Sequence, residues 1–297
     1  MSEDRIPEHL ELGGAIELVR CADLRAGWSV ADVRATYSPE RFSLPAGLAT
    51  LREAWRERNP QERSDPKLAW REFRRDERGR LVCGLQPTAW DEVRPLHESP
   101  PSDLAKVLKR LPQGYEMLVP NIGVVHVIVA TSDGWILAIR RSDSLHYHPG
   151  AWSATYEEGL DPSDLDADGV FHRAARRGLA EELVPGAEQM SLDAFRVVSV
   201  IFERPIVNPA AVVIANLPMT QREILKRPPS DELDASSVLA IPLDPKVLGE
   251  VIASPVPNLG SRSGKWHPTA RYRLLVALAH FFGEEAAAAA ERRVLRR

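Results

Sequence analysis

Residues 123–141 read GVVHVIVATSDGWILAIRR, and this stretch decides the fold. Residues 123–131 are β-branched and almost wholly apolar, which is typical of a central strand buried on both faces. The tripeptide at 132–134 predicts a turn, because Asp-Gly tolerates the positive φ angles of a tight connection. Residues 135–141 predict a second strand, so the whole stretch predicts a β-hairpin.

The segments that follow this hairpin predict a mixed α/β architecture. Residues 171–183 have the apolar periodicity of an amphipathic helix, and residues 197–202 and 210–217 predict two further strands. Residues 268–282 predict a closing helix, which the alanine-rich residues 286–290 either extend or leave frayed. Strands and helices in this order favour an α/β unit.

The N-terminal part has a different texture, with many prolines, tryptophans and charges and few long apolar runs. Within it, residues 48–58 predict a helix and residues 81–85 a short strand. We therefore predict two parts, an α+β extension at 1–116 and a domain at 117–297. The extension could shape a substrate cleft or form a homodimer interface.

Composition excludes several classes of protein. The chain has 297 residues, 44% of them hydrophobic, and a net charge of -4, which is typical of a globular protein. Balanced charge argues against binding to a nucleic acid duplex. No apolar run is long enough for a membrane helix, the first twenty residues do not resemble a signal peptide, and the two cysteines lack partner spacing. We expect a cytoplasmic protein with a small-molecule ligand and no membrane partner.

The helix at 171–183 carries the most informative pattern, RGLAEE at 177–182. Adjacent carboxylates such as Glu181 and Glu182 repel each other unless a proton or a cation lies between them. Hard oxygen ligands suit Mg²⁺ or Mn²⁺, especially when a diphosphate supplies further oxygens. Arg177 can orient Glu181 through an i,i+4 pair. An isolated pattern of this kind is more often a solvated helix face, but its place behind the hairpin favours a metal site.

With this helix, the hairpin and the Pro149-Gly150-Ala151-Trp152 loop, residues 117–250 resemble the Nudix hydrolases. The resemblance implies an α/β/α sandwich with a mixed sheet. It also implies Mg²⁺- or Mn²⁺-dependent hydrolysis of a diphosphate bond in a nucleoside diphosphate linked to another moiety, such as a sugar. In the family signature Arg177 matches the arginine, and Glu181 and Glu182 match the paired metal-binding glutamates.

The sequence departs from the family signature at Gly178, which stands where the family has a glutamate that binds metal and often acts as general base. In one interpretation another carboxylate replaces it: Glu158 is our first candidate for metal ligand or base, Glu157 the second and Glu203 the third. In the alternatives, the fold binds a nucleotide as a non-catalytic or regulatory module, or the site performs different chemistry on a related substrate. A purely structural interaction protein is a further possibility.

Four residues near this region are candidate substrate contacts. Arg140 and Arg141 end the second hairpin strand, and strand alternation directs one of them to the ligand and the other to solvent. Trp152 and Tyr156 could stack on a base or a sugar, although packing in the core is the commoner role of such rings.

Three further histidines or histidine pairs were weighed as ligands. His146 and His148 share a face if their segment is extended, as in a transition-metal site. With no cysteine or third histidine nearby in the sequence, we expect substrate contact or plain surface positions instead. His126, inside an apolar strand, is expected to be a packed core histidine.

Overall fold

A computed structural model describes most of the chain. The described residues are 15–43, 46–61, 64–98, 117, 119–166, 168–203, 206, 208–226, 237–257 and 264–295.

These residues form eleven strands and seven α-helices. The strands are β1 (Ala15–Arg20), β2 (Val33–Tyr37), β3 (Pro66–Arg75), β4 (Leu81–Ala89), β5 (Val124–Ala130), β6 (Trp135–Arg140), β7 (Trp152–Ser153), β8 (Tyr156–Gly159), β9 (Phe195–Glu203), β10 (Asn208–Asn216) and β11 (Val238–Pro242). The helices are α1 (Ala46–Arg58), α2 (Trp90–Glu98), α3 (Val170–Glu182), α4 (Gln221–Leu225), α5 (Pro245–Ala253), α6 (Ala270–Phe282) and α7 (Glu284–Leu295).

An eight-stranded mixed sheet forms the centre of the molecule, with the order β1-β9-β10-β5-β6-β11 and with β7 and β8 paired to β6 and β5. Strands β10 and β5 are parallel and the other pairs are antiparallel. β5 lies inside this sheet and all but the first of its side chains are buried, which explains its unbroken apolar sequence.

Helices cover both faces of this sheet. On β8 the Tyr156 hydroxyl donates a hydrogen bond to the Ala175 carbonyl of α3, at 2.5 Å. The next residue, Glu157, accepts a hydrogen bond from Arg273 of α6, also at 2.5 Å. Because successive strand residues point to opposite faces, α3 and α6 lie on opposite sides of the sheet. The predicted α/β/α sandwich with a mixed sheet is therefore confirmed.

The N-terminal part contributes a second, three-stranded sheet of order β2-β4-β3, together with α1 and α2. It packs against the larger unit through Trp70, whose ring stacks on Phe171 of α3 at 4.7 Å, and through Asn121, which bonds the backbone of Trp70 at 3.0 Å. β1 pairs with β9 and so joins the large sheet. A division of the chain after residue 116 stays a prediction, and one strand from the first part lies in the sheet of the second.

The long periodic segments are found close to their predicted positions, as α1, α3, α6 and the β5–β6 hairpin. The alanine-rich segment belongs to a separate helix, because Gly283 adopts φ 92° and ends α6. Of the helices in the described ranges, none is both long and apolar enough to cross a bilayer.

Candidate functional site

Arg177 organises the acidic side chains beside α3. Its Nη1 lies 2.8 Å from Glu158 Oε1 and 3.7 Å from Glu181 Oε2, and its Nη2 lies 3.0 Å from Asp164 Oδ2. Asp164 is buried, whereas Glu181 is exposed, so the guanidinium spans from the interior to the surface. The predicted i,i+4 contact between Arg177 and Glu181 is present, but the closer carboxylates come from the strand and loop before the helix.

Gly178 is required by close packing against β8. A Cβ atom at this position would lie 2.8 Å from Cε2 of Tyr156 and 3.0 Å from Cβ of Glu158. Atoms at those distances overlap, so a larger residue would force the buried tyrosine or the glutamate to move. The glycine that costs the helix stability therefore makes room for the Glu158 side chain.

Three carboxylates are thus available on this side of the sheet, from Glu158, Glu181 and Glu182. Burial raises the pKa of the Glu158 carboxyl above its ordinary value, and the neighbouring Arg177 opposes that shift. Glu182 is partly buried and interacts electrostatically with Arg141. Oxygen donors alone, from clustered carboxylates, are the ligand chemistry that Mg²⁺ and Mn²⁺ prefer, so the donor set fits such an ion.

Glu157 lies on the opposite side of β8 and has a different set of partners. It forms ion pairs with Arg141 and with Arg273, whose side chain is 0% exposed, and it accepts a hydrogen bond from Ser153 Oγ at 2.6 Å. Two guanidinium groups and a hydroxyl satisfy this nearly buried carboxylate, as buried charges require. Our second candidate for the missing base is therefore held in a core ion-pair network.

Both glutamates of β8 reach the wall of a cavity of about 270 Å³. The opposite wall comes from α2, in the N-terminal part, which contributes Trp90, Arg94 and His97. Nothing in the local sequence of α2 indicates this role, since its contribution depends on how the two parts of the chain pack.

Histidines from three distant segments meet in the same cavity, around Glu203 at the end of β9. His148 Nε2 lies 2.7 Å from Glu203 Oε1, His267 Nε2 lies 3.6 Å from the same oxygen, and His126 Nε2 lies 3.8 Å from Oε2. Burial, and then the charge of Arg273, lowers the pKa of both His126 and His267 well below the ordinary histidine value, so both rings are neutral at pH 7.

This arrangement corrects the interpretation of His146 and His148. A third histidine, His267, lies beside His148 with the ring centroids 4.6 Å apart, although 118 residues separate the two in sequence. Only tertiary packing brings them together. His126 is buried as expected, but it borders the cavity and is not enclosed in apolar core.

The candidate substrate contacts separate into two groups. Arg141 borders the cavity, whereas Arg140 pairs at the surface with Asp143 at 2.9 Å, as alternation along the strand predicts for one inward and one outward residue. Trp152 and Tyr156 are 1% and 5% exposed. The structure therefore places both rings in the core, where their surface is already covered by protein atoms.

Two backbone positions with positive φ hold the loops around this cavity. Within the described ranges the only non-glycine residues of this kind are His148, at φ 50°, and Thr155, at φ 80°. The Thr155 hydroxyl donates to the Leu137 carbonyl at 2.6 Å and accepts from the Val129 amide at 2.9 Å. These buried hydrogen bonds stabilise the turn that sets the register of Glu157 and Glu158.

Comparisons with known proteins give matches to solved structures only. No family model matches the chain, and no curated protein matches it in sequence. DR0079 from Deinococcus radiodurans is 20% identical, covers 51% of this chain and 80% of its own, and has a TM-score of 0.33. A NUDIX hydrolase from Alicyclobacillus acidocaldarius is 14% identical, covers 54% and 93%, and has a TM-score of 0.37.

A third match is a bifunctional NMN adenylyltransferase/ADP ribose pyrophosphatase from Francisella tularensis, whose structure contains AMP and a Mn ion. It is 20% identical, covers 50% of this chain and 42% of its own, and has a TM-score of 0.30. These matches include members of the family that the sequence resembles. At such identities they concern the fold and assign neither substrate nor metal to this chain.

Proposed function

We propose that the protein hydrolyses a diphosphate bond in a nucleoside diphosphate linked to another moiety, such as a sugar, with Mg²⁺ or Mn²⁺ as cofactor. The observation that carries the proposal is the packing of Glu158 against Gly178. It puts a carboxylate from β8 beside the position where the family signature has a glutamate, next to Glu181 and Glu182. The loss of the helix glutamate is thereby offset by a neighbouring strand.

Glu158, Glu181 and Glu182 would hold the ion, which when bound supplies charge neutralisation for the diphosphate oxygens. Arg177 keeps Glu158 and Glu181 oriented through its two ion pairs. Because burial raises its pKa, Glu158 is also a better proton acceptor than an exposed glutamate, which suits a general base that takes a proton from attacking water.

The cavity supplies chemistry that suits the rest of such a substrate. The guanidinium groups of Arg94 and Arg141 border it, and arginine binds phosphate oxygens through charge-assisted hydrogen bonds. Trp90 and Tyr147 also border it and lie with ring centroids 6.2 Å apart, so they offer aromatic surface for a base or sugar. The N-terminal part would then take part in substrate selection through α2.

The test is to incubate the purified full chain, with and without Mg²⁺, with a panel of nucleotide sugars and dinucleotides. We expect Mg²⁺-dependent release of a nucleoside monophosphate from at least one compound. Glu182→Gln should abolish this turnover while circular dichroism shows an intact fold, and Glu188→Gln, an exposed glutamate beyond the end of α3, is the matched control. Turnover retained by Glu182→Gln would mean that the metal lies elsewhere.

The alternative is a non-catalytic module that binds a nucleotide in the same cavity. One observation favours it, namely the ion pair that occupies Glu158 Oε1 with Arg177. The same panel separates the two functions. Thermal stabilisation by one ligand without any product across the panel would establish the binding module and overturn the hydrolase.

A further inference from the structure

Glu203 is a carboxylate buried in an unusual environment. It is 1% exposed, and its oxygens lie within 4 Å of three imidazole nitrogens, those of His126, His148 and His267. A buried carboxylate requires a cation or several hydrogen-bond donors nearby. Imidazole can meet that need as a hydrogen-bond donor, but imidazole and carboxylate together are also the usual ligands of zinc-type ions.

The spacing of these donors matches that of metal ligands. One nitrogen each from His148 and His267 and one oxygen from Glu203 all lie within 4.8 Å of one another. Ligands about 2.1 Å from a tetrahedral ion are about 3.4 Å apart, and the contacts of Glu203 to the two histidines, 2.7 and 3.6 Å, bracket that spacing.

The surroundings also hold the rings in place. His267 Nδ1 lies 2.9 Å from Thr269 Oγ1, and the same hydroxyl lies 3.1 Å from His126 Nδ1. A hydrogen bond at the far nitrogen of this kind fixes the orientation and tautomer of histidine ligands in metal sites. His148 sits at a backbone position with φ 50°, which turns its ring toward Glu203.

We propose that His148, His267 and Glu203 form a binding site for a divalent transition-metal ion of the zinc type, with one coordination position facing the cavity. Three protein ligands with an open position are typical of sites that admit a small molecule, whereas closed four-ligand sites are structural. This site is separate in donor chemistry from the oxygen-only cluster beside α3, and it does not depend on the proposed hydrolase activity.

The test uses the metal-free full chain and Co²⁺ as a spectroscopic probe, in a buffer with excess Mg²⁺ so that oxygen-only sites are saturated. We expect one equivalent of Co²⁺ to give visible absorption, and one equivalent of Zn²⁺ to displace it. His148→Gln should weaken Co²⁺ binding by about 100-fold or more, since even the loss of an orienting partner costs 10- to 100-fold. His148 lies in a loop and is only partly buried, so this substitution should leave the fold intact.

His146→Gln is the matched control, because this exposed histidine lies two residues away and its ion-pair contact is with Glu98, at 3.9 Å. It should bind Co²⁺ like the parent chain, whereas Glu203→Gln should lose binding as His148→Gln does. Equal binding by the parent chain, His148→Gln and Glu203→Gln would overturn the proposal, as would the absence of any 1:1 binding to the parent chain. No substrate enters the measurement, so its result is independent of whether the protein hydrolyses a diphosphate.

Discussion

Glu157 and Glu158 are neighbours on one four-residue strand, and their side chains are 11% and 14% exposed, yet the structure gives them different roles. Glu157 points toward α6 and is bound by Arg141 and by the buried Arg273. Glu158 points toward α3 and is bound by Arg177, a residue that also reaches the exposed Glu181. The difference shows that strand alternation, more than residue type or exposure, separates a structural carboxylate from a candidate catalytic one.

The sharpest way to break this comparison is Glu157→Gln. It leaves Arg273 buried without its carboxylate, and removing one partner of a buried pair costs about 3 to 5 kcal/mol of unfolding free energy. The matched variant Glu158→Gln should cost about 1 kcal/mol or less, because Arg177 keeps Asp164 as a partner. Urea denaturation measures both, and equal losses would remove the distinction between the two sides.

Activity should respond in the opposite order. Glu158→Gln removes both the charge and the proton acceptor beside Gly178, so we expect the kcat of the Mg²⁺-dependent reaction to fall by about 100-fold, which corresponds to about 2.7 kcal/mol. The measurement is steady-state kinetics on the compound that the substrate panel identifies. A kcat within twofold of the parent value would exclude Glu158 as ligand and base.

The pH dependence of stability tests the α3 side separately. Burial lowers the pKa of His172, on α3, to about 4, although a hydrogen bond to the Trp28 carbonyl opposes the shift. The unfolded chain binds this proton near pH 6.5 and the folded chain does not, so stability is full above pH 6.5 and falls as the pH drops toward 4. Between pH 7 and pH 5 this histidine should account for about 2 kcal/mol of lost stability.

His172→Gln should remove that part of the loss, and urea denaturation at pH 7 and pH 5 measures it. The acid sensitivity of His97, in the cavity wall, should persist, because burial also lowers its pKa to about 4. An unchanged difference in stability between the two pH values would show that His172 does not remain neutral in the fold.

Gly178→Ala should give the smallest effect. Overpacking against Tyr156 and Glu158 costs about 1 to 3 kcal/mol, and the better helix propensity of alanine returns up to about 1 kcal/mol. We therefore expect a net loss of about 1 kcal/mol, measured by urea denaturation. A stabilised variant would mean that β8 does not pack as closely on α3 as Gly178 implies.

The predicted elements that were found are those with long, regular patterns. α1, α3, α6 and the β5–β6 hairpin bury one continuous face or a whole strand, and such burial leaves a periodic apolar signal in the sequence. β8 is only four residues long, and α2 contains Pro95, so neither has a pattern of that kind. β1 lies at an edge of the sheet, and its pairing with β9 joins residues about 180 apart.

The candidate site divides along the same line. The RGLAEE pattern at 177–182 identified Arg177, Glu181 and Glu182 as candidates, and Gly178 pointed to a replacement carboxylate. The histidine cluster gave no such signal, although Arg273 within an otherwise apolar helix indicates a buried partner for its charge. A charged residue on the buried face of a helix is the clue that could have led to Glu157.

By itself, the sequence determined the α/β/α sandwich, its central hairpin and the helix that carries the acidic pattern, because local periodicity and turn chemistry are written along the chain. Only the tertiary structure decided that Glu158 fills the space beside Gly178, that α2 closes the cavity, and that His148 and His267 meet at Glu203. These contacts join residues far apart in sequence, and their geometry follows from strand alternation and packing across the sheet.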